Sequence, residues 1–343
     1  MGVRAKHVFR WDLDKTYLRT EFDSVRDLVN SAIEKATDKR AFPGAAALLR
    51  SLRHDAEHRI CIVSGSPSQM RAVLTAKLAL DGIEFDEFVL KNNLHNLVRL
   101  RFRALRSQVP FKLAALLGSR AGIIGPAKET LFGDDSEADG VIYSLYGDIL
   151  AGHVSASQLR ECLNAAAAYP DQIERTMALA EHLHGSGDSV QRILIHLEKR
   201  SPTESFHHFG QRLVPVYNYL QAALVMYEDD LIDCQQLLFV MQEMLDSDEY
   251  DLHSLADSMQ DLMRRGRLSQ GAAERLALDL QSASAGAATL ERAEHIELIA
   301  TTFSERISEV AKTTPICWPT ENPQLDYVGL VQAEYSRKRR DAR

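Results

Sequence analysis

Val8-Phe9-Arg10-Trp11-Asp12-Leu13-Asp14-Lys15-Thr16 is the stretch on which the reading of this chain turns. A short, mainly apolar run leads straight into Asp-x-Asp-x-Thr. Such a run, bounded by polar residues, reads as a buried strand. Two carboxylates at i and i+2, just past a strand end, can both turn toward one point in space. One can attack phosphorus while the other moves a proton, the minimum kit for phosphoryl transfer through an aspartyl phosphate. The same pattern also occurs in plain surface turns, so its weight comes from the stretches downstream of it.

Three further stretches come in order. Ile60-Cys61-Ile62-Val63 is apolar and ends in Ser64-Gly65-Ser66-Pro67. Lys112 stands near the start of Phe111-Lys112-Leu113-Ala114-Ala115-Leu116-Leu117. Thr130-Leu131-Phe132 ends in Gly133-Asp134-Asp135-Ser136-Glu137-Ala138-Asp139. Val8–Trp11, Ile60–Val63, Phe88–Leu90 and Thr130–Phe132 are the strand candidates. Ser24–Ala36, Ala45–Leu52, Ser68–Leu80 and Phe111–Leu117 carry apolar residues every three to four positions and read as helices. Strand–helix alternation predicts an α/β fold, with a doubly wound, Rossmann-like parallel sheet and right-handed crossovers. In such a sheet ligands bind beyond the carboxyl ends of the strands. Asp12, Ser64 and Asp134 each come directly after an apolar run, so the fold would gather them on one rim.

The order of acid pair, small hydroxyl, lysine and acid cluster resembles the haloacid dehalogenase superfamily of phosphatases. Within it, the chain is most similar to the phosphatidate phosphatase catalytic domain of the actin-patch type. The likeness rests on Asp12-Leu13-Asp14-Lys15-Thr16, on Val63-Ser64-Gly65-Ser66-Pro67, and on Gly133-Asp134 with Asp139 five residues on. It covers residues 1–150 only. The resemblance implies Asp12 as nucleophile and Asp14 as the acid and base, its pKa tuned upward. Thr16 would support the loop. Ser64 would donate to a phosphoryl oxygen beside the backbone N–H groups of Gly65 and Ser66, although Ser66-Pro67 can equally be a simple helix cap. Lys112 would neutralise Asp12 and the phosphoryl group, with Lys91 as its competitor. Mg²⁺ would be held by Asp12, Asp134 and the backbone carbonyl of Asp14, with Asp139 binding through water or orienting Lys112. Asp135 stands where a small polar residue is expected, so it is either an outer metal group or a helix cap.

Composition sets outer bounds. With 45% hydrophobic and 26% charged residues the 343-residue chain has the make-up of a globular protein of one or two domains. Its 4 cysteines show no C-x-x-C spacing, which points to a reducing, cytoplasmic setting and away from zinc or disulfides. Arg4, Lys6, Arg10 and Asp12 interrupt any signal-peptide core, and no apolar run is long enough for a transmembrane segment. Charge is uneven. Residues 1–150 carry 22 Lys and Arg against 19 Asp and Glu, while residues 151–343 carry 18 against 29. That asymmetry predicts a boundary near 150, with a helical, all-α domain over 151–343. Val190–Lys199 and Phe209–Met226 are among its helix candidates, with Pro215 in a first turn or kink.

Residues 88–128 hold no Asp or Glu but eight basic residues, among them Arg99, Arg101 and Arg103 alternating with Leu100 and Phe102. Such a surface suits a polyanionic substrate, whether a phospholipid headgroup at a membrane surface, a nucleic-acid end or an inositol phosphate. Docking against the acidic half explains it equally well. The short spacing from Asp14 to Ser64 argues against a large inserted cap and for a bulky substrate. The expected activity is a Mg²⁺-dependent phosphomonoesterase. A phospho-ligand sensor or scaffold, and a phosphotransferase, are the alternatives, and the partner of the helical half is open.

Overall fold

The computed structural model describes residues 2–19, 39–91, 108–311, 316, 318 and 323–341, with side chains as far as 336. Eight strands run in chain order: β1 (Val3–Arg4), β2 (His7–Trp11), β3 (His58–Pro67), β4 (Glu87–Lys91), β5 (Ile123–Ile124), β6 (Lys128–Asp134), β7 (Val190–His196) and β8 (Leu213–Val216). β1 and β5 form a small parallel pair, and the other six form one sheet in the order β4-β3-β2-β6-β7-β8. β2 runs parallel to both β3 and β6, β3 to β4, and β6 to β7. From β2 the chain steps outward to β3 and β4, then returns to the other side of β2 as β6 and steps outward again. The reversal lies between β2 and β6, where an open α/β sheet leaves a crevice at its carboxyl rim. Register then sets the levels. Trp11 pairs with Ile62 and with Phe132, so Asp12 and Asp14 leave the sheet beside Ser64 and Asp134.

All five residues of β2 are buried, as expected for a central parallel strand covered on both faces. Arg10 is among them. It pairs with the fully buried Glu129 of β6 and donates to Ser119 Oγ at 2.7 Å. Tyr146 Oη also donates to Glu129, at 2.9 Å. Charge is tolerated there because it is paired and hydrogen-bonded.

The four expected strands are present as parts of β2, β3, β4 and β6. Two expectations for the second half are overturned. Val190–Lys199 is no helix, since Val190–His196 is β7, paired with β6 from Glu129↔Val190 to Asp134↔His196. Residues 210–218 of the second are not helical either, because Leu213–Val216 is β8 at the sheet edge. Pro215 therefore sits in an edge strand, where a missing N–H is tolerated. The sheet thus extends well past residue 150.

Helices in chain order are α1 (Ala45–Leu52), α2 (Arg71–Leu80), α3 (Val109–Arg120), α4 (Asp139–Ala151), α5 (Ala156–Ala165), α6 (Pro170–Leu183), α7 (Tyr219–Glu228), α8 (Cys234–Leu245), α9 (Leu252–Arg264), α10 (Gln270–Ala285), α11 (Leu290–Val310) and α12 (Tyr327–Asp341). The expected helix Ser24–Ala36 lies outside the described residues. Two compact units replace the boundary expected near 150. One comprises the described residues of Met1–Arg40, Asp55–Pro215 and Glu321–Arg343, the other those of Ala41–His54 and Val216–Thr320. The first unit's apolar core includes Leu113 and Leu117 of α3, Ile142 of α4, Leu163 of α5, Ile195 of β7 and Val331 of α12. Tyr327 Oη donates to Asp148 Oδ2 at 2.5 Å, and Arg212 reaches Asp148 Oδ1 at 2.8 Å, which ties α12 to α4.

The second unit is helical, and α1 belongs to it although α1 precedes β3 in sequence. Arg50 of α1 pairs with Glu243 of α8 at 2.6 Å, and Ala47 N–H donates to the same carboxylate. Side-chain caps start α7 through α11, from Asn218, Asp233, Asp251, Ser269 and Thr289. Each cap satisfies a first-turn N–H that would otherwise lack a partner within its helix. Tyr219, Met226 and Tyr227 are buried, whereas Tyr217 is exposed.

Candidate active site

At the rim between β2 and β6, three carboxylates surround one lysine and two more stand close by. Lys112, in the first turn of α3, is fully buried. Its Nζ lies 2.6 Å from Asp139 Oδ1, 2.8 Å from Glu137 Oε2 and 3.3 Å from Asp12 Oδ1. The contact to Asp12 is close enough for charge attraction but lacks hydrogen-bond geometry, and Asp12 Oδ1 has no hydrogen-bond partner. Thr16 Oγ1 donates to Asp12 Oδ2 at 3.3 Å, the loop support expected of it. Lys91 is also buried, but it lies 5.7 Å above the Phe111 ring. Lys112 is thus the lysine on Asp12.

Asp14 turns the other way. Its Oδ2 accepts from Ser64 Oγ at 2.9 Å and from Ser66 Oγ at 2.6 Å. Ser66 N–H in turn donates to Ser64 Oγ at 3.0 Å. The hydroxyl of Ser64, expected to face a ligand, here holds Asp14. A Cβ at Gly65 would come within 2.5 Å of the Gln108 amide, so a larger residue there would displace that side chain. Gln108 itself, just before α3, donates to Glu137 at 3.0 Å.

Asp134 ends β6. Its Oδ1 accepts the N–H groups of Ser136 at 2.5 Å and Glu137 at 3.1 Å, while its buried Oδ2 has no partner. Asp139 opens α4 and accepts the Asp134 N–H through Oδ2 at 3.3 Å. Gly133 makes that approach feasible, since a Cβ there would fall 2.6 Å from Asp139 Cβ and 2.7 Å from the Tyr143 ring. Asp135 is separate from this group. Its carboxylate accepts Lys199 N–H at 2.8 Å and Ser201 N–H at 3.0 Å, bracing the segment that leaves β7. It does not cap α4, whose start has no side-chain cap. Arg99, Arg101 and Arg103 lie outside the described residues.

Electrostatics are set by this crowding. Burial pushes the carboxyl of Asp12 well above the usual range, with Lys112 opposing and Asp139, Glu137 and Asp134 adding to the rise. Asp134 is likewise held well above it, by burial and then by Asp139 and Glu137. Asp14 is raised by burial against the hydrogen bonds from Ser66 and Ser64, and Asp139 by burial against Lys112. Burial also disfavours charge on Lys112, but Asp12, Asp139 and Glu137 outweigh it and hold the ammonium well above its ordinary value. One cation does not balance this set.

Carboxylate oxygens of Asp12, Asp134 and Asp139 lie within 4.8 Å of one another. Buried acceptors without partners, Asp12 Oδ1, Asp14 Oδ1 and Asp134 Oδ2, are where an ion or water is expected. An all-oxygen donor set suits a hard divalent cation such as Mg²⁺. The residues therefore fit a metal.

Glu137, Gln108, Tyr143 and His196 also belong to this rim, and the sequence had not marked them out. Glu137 stands inside the acid run, but only the fold shows that it meets Lys112. His196 ends β7, level with Asp134, and its Nδ1 lies 3.2 Å from the Lys15 carbonyl. Among the described residues no helix is long and apolar enough to cross a membrane. Comparison with known proteins found no matching family model, no matching curated protein and no matching solved structure.

Proposed function

We propose that the chain is a divalent-metal-dependent phosphomonoesterase of the haloacid dehalogenase kind, working through a phospho-Asp12 intermediate. One observation carries the reading. At the carboxyl rim where strand order reverses, Asp12 faces Lys112, Asp134 and Asp139, while Asp14 rests on Ser64 and Ser66 beside it.

Asp12 attacks phosphorus, forming a P–O bond to its carboxylate as the bond to the ester oxygen breaks. Asp14, whose raised pKa favours the proton, gives that proton to the departing oxygen. As a carboxylate it then takes a proton from the water that attacks phosphorus, and the bond to Asp12 breaks. Ser64 would exchange Asp14 for a phosphoryl oxygen as substrate enters. Lys112 neutralises charge on Asp12 and on the phosphoryl group. A bound Mg²⁺, held by Asp12 and Asp134 with Asp139 behind them, would polarise the phosphoryl oxygens and offset the buried negative charge. A bulky, polyanionic phosphomonoester such as a phospholipid is the proposed substrate class, resting on Arg99, Arg101, Arg103 and Arg106 in the sequence, since Lys91, Lys112 and Arg120 of the same basic run are buried.

Phosphate release from p-nitrophenyl phosphate, with and without Mg²⁺, tests the reading. Release should require the metal and fall by at least ~10³-fold in Asp12→Asn. Equal release from both proteins would overturn Asp12 as nucleophile. Phosphate and Mg²⁺ binding without turnover on any phosphomonoester would identify a sensor instead, and transfer to an added alcohol a phosphotransferase.

A further inference from the structure

The acidic loop after β2 is closed by backbone hydrogen bonds. Lys15 N–H donates to Leu18 O at 2.9 Å, and both Tyr17 and Leu18 N–H groups donate to Leu13 O. Lys15, between Asp14 and Thr16, has φ of 62°, a left-handed conformation that a non-glycine residue adopts only when its surroundings hold it there. Its carbonyl lies 3.2 Å from His196 Nδ1. A carbonyl can only accept, so the imidazole must carry its proton on Nδ1. The ring is buried, with 6% of its surface exposed.

The backbone of His196 serves the other acidic loop. Its carbonyl accepts the Asp135 N–H at 3.1 Å, next to Asp134. Residues just beyond His196 continue this bracing. Glu198 accepts from Ser136 Oγ at 2.9 Å, and Lys199 and Ser201 donate to the Asp135 carboxylate. One strand end thus bonds to the loop of Asp12 and Asp14 through a side chain, and to the loop of Asp134 through backbone.

We propose that His196 is a positioning residue for this site: its Nδ1–H fixes the Lys15 carbonyl, and with it the loop that sets Asp12 and Asp14 against Asp134. The role rests on the phosphatase reading, and it adds a residue of β7, beyond the segment that carries the motifs. His196 touches no reacting atom. It acts through the loop, where a displacement of about 1 Å can cost ~10²-fold in rate.

Three variants test it, because their donors differ in place. The amide nitrogen of Asn overlays Nδ1, that of Gln overlays Nε2, and Ala has neither. With p-nitrophenyl phosphate and Mg²⁺, His196→Asn should stay within ~3-fold of wild type in kcat. His196→Gln and His196→Ala should lose ~10–100-fold in kcat with KM within ~3-fold, and the pH profile of the Asn variant should match wild type. Gln matching or exceeding Asn, equal loss in Asn and Ala, or a pH limb missing from the Asn variant would each overturn the proposal. A second measurement needs neither turnover nor a folded variant beyond one for assignment. A ¹⁵N–¹H long-range correlation spectrum of the wild type, with the His196 signals identified by their absence in His196→Asn, shows which ring nitrogen holds the proton. An Nε2–H tautomer at pH 7.5 sinks the idea whether or not the protein is an enzyme. An Nδ1–H tautomer in an inactive protein would retain the loop contact while the phosphatase reading fails.

Discussion

Asp134 and Asp251 make the same local bond and live in opposite electrostatic worlds. Asp134, after β6, accepts two backbone N–H groups in the turn beyond it, and Asp251 accepts Ser254 N–H at 2.7 Å as the cap of α9. Asp251 is exposed, and its hydrogen bonds from Ser254 hold its carboxyl below the ordinary value. Asp134 is buried among Asp139 and Glu137, and its carboxyl is held far above it. Local hydrogen bonding favours the carboxylate in both, so burial and like charge decide the difference. In the helical unit Asp233 and Asp251 start helices as N-terminal caps. In the sheet unit acids are concentrated against the cost of charge burial, as functional sites commonly do.

The contrast can be broken first at the buried pair beneath the site. Glu129→Ala leaves Arg10 and Arg120 without their shared carboxylate. It should lower unfolding free energy by about 3–5 kcal/mol, read from urea denaturation. A change below about 1 kcal/mol would mean that these guanidiniums find other partners.

Neutralising Asp134 should act in the opposite direction. In metal-free protein at pH 7.5, Asp134→Asn removes a buried ionisable group with an orphaned oxygen and should raise stability by about 1–3 kcal/mol. The raised pKa gives the sign. The folded state holds its proton more tightly than the unfolded state, so wild-type metal-free stability falls as pH climbs above the normal carboxylate range. Mg²⁺ should raise the melting temperature of wild type far more than that of the variant. Thermal scans with and without Mg²⁺ decide this, and a variant that still responds fully would remove Asp134 from the metal site.

His7 sharpens the comparison with the reverse pH sign. Burial, then His58, Lys128 and Lys6, push its pKa down to about 3, and its Nε2 lies 2.9 Å from Thr130 Oγ1. The folded state resists protonation, so its contribution is complete above about pH 6.5 and is lost as pH falls from there toward 3. His7→Gln should flatten the acid limb by up to about 1.4 kcal/mol per pH unit, measured by denaturation between pH 6 and pH 4. The smallest effect belongs to the exposed acid. Asp251→Ala should lower the melting temperature slightly through loss of the cap, with no dependence on Mg²⁺.

Strand ends beside the site were legible because a strand buried on both faces appears as an apolar run, with chemistry at its end. Asp12, Asp14, Thr16, Ser64, Ser66 and Asp134 could be named that way, whereas Lys112 and Asp139 came from the family resemblance. β7 was not legible as a strand. Val190, Ile193, Leu194 and Leu197 fall at helical spacing, although Ile193-Leu194-Ile195 is also a short, largely β-branched run. Helix α4 left no periodic trace, because every residue from Asp139 to Leu150 is buried.

Sequence alone determined the acid pair, the hydroxyl turn and the acid cluster, because each chemistry is local to one strand end. Tertiary structure decided what spans elements. It chose Lys112 over Lys91, turned Asp135 away to brace the segment after β7, put α1 with the helical unit and brought His196 to Lys15. Those outcomes depend on strand order and register, which are set by non-local pairing between segments far apart in the chain, so no window of sequence contains them.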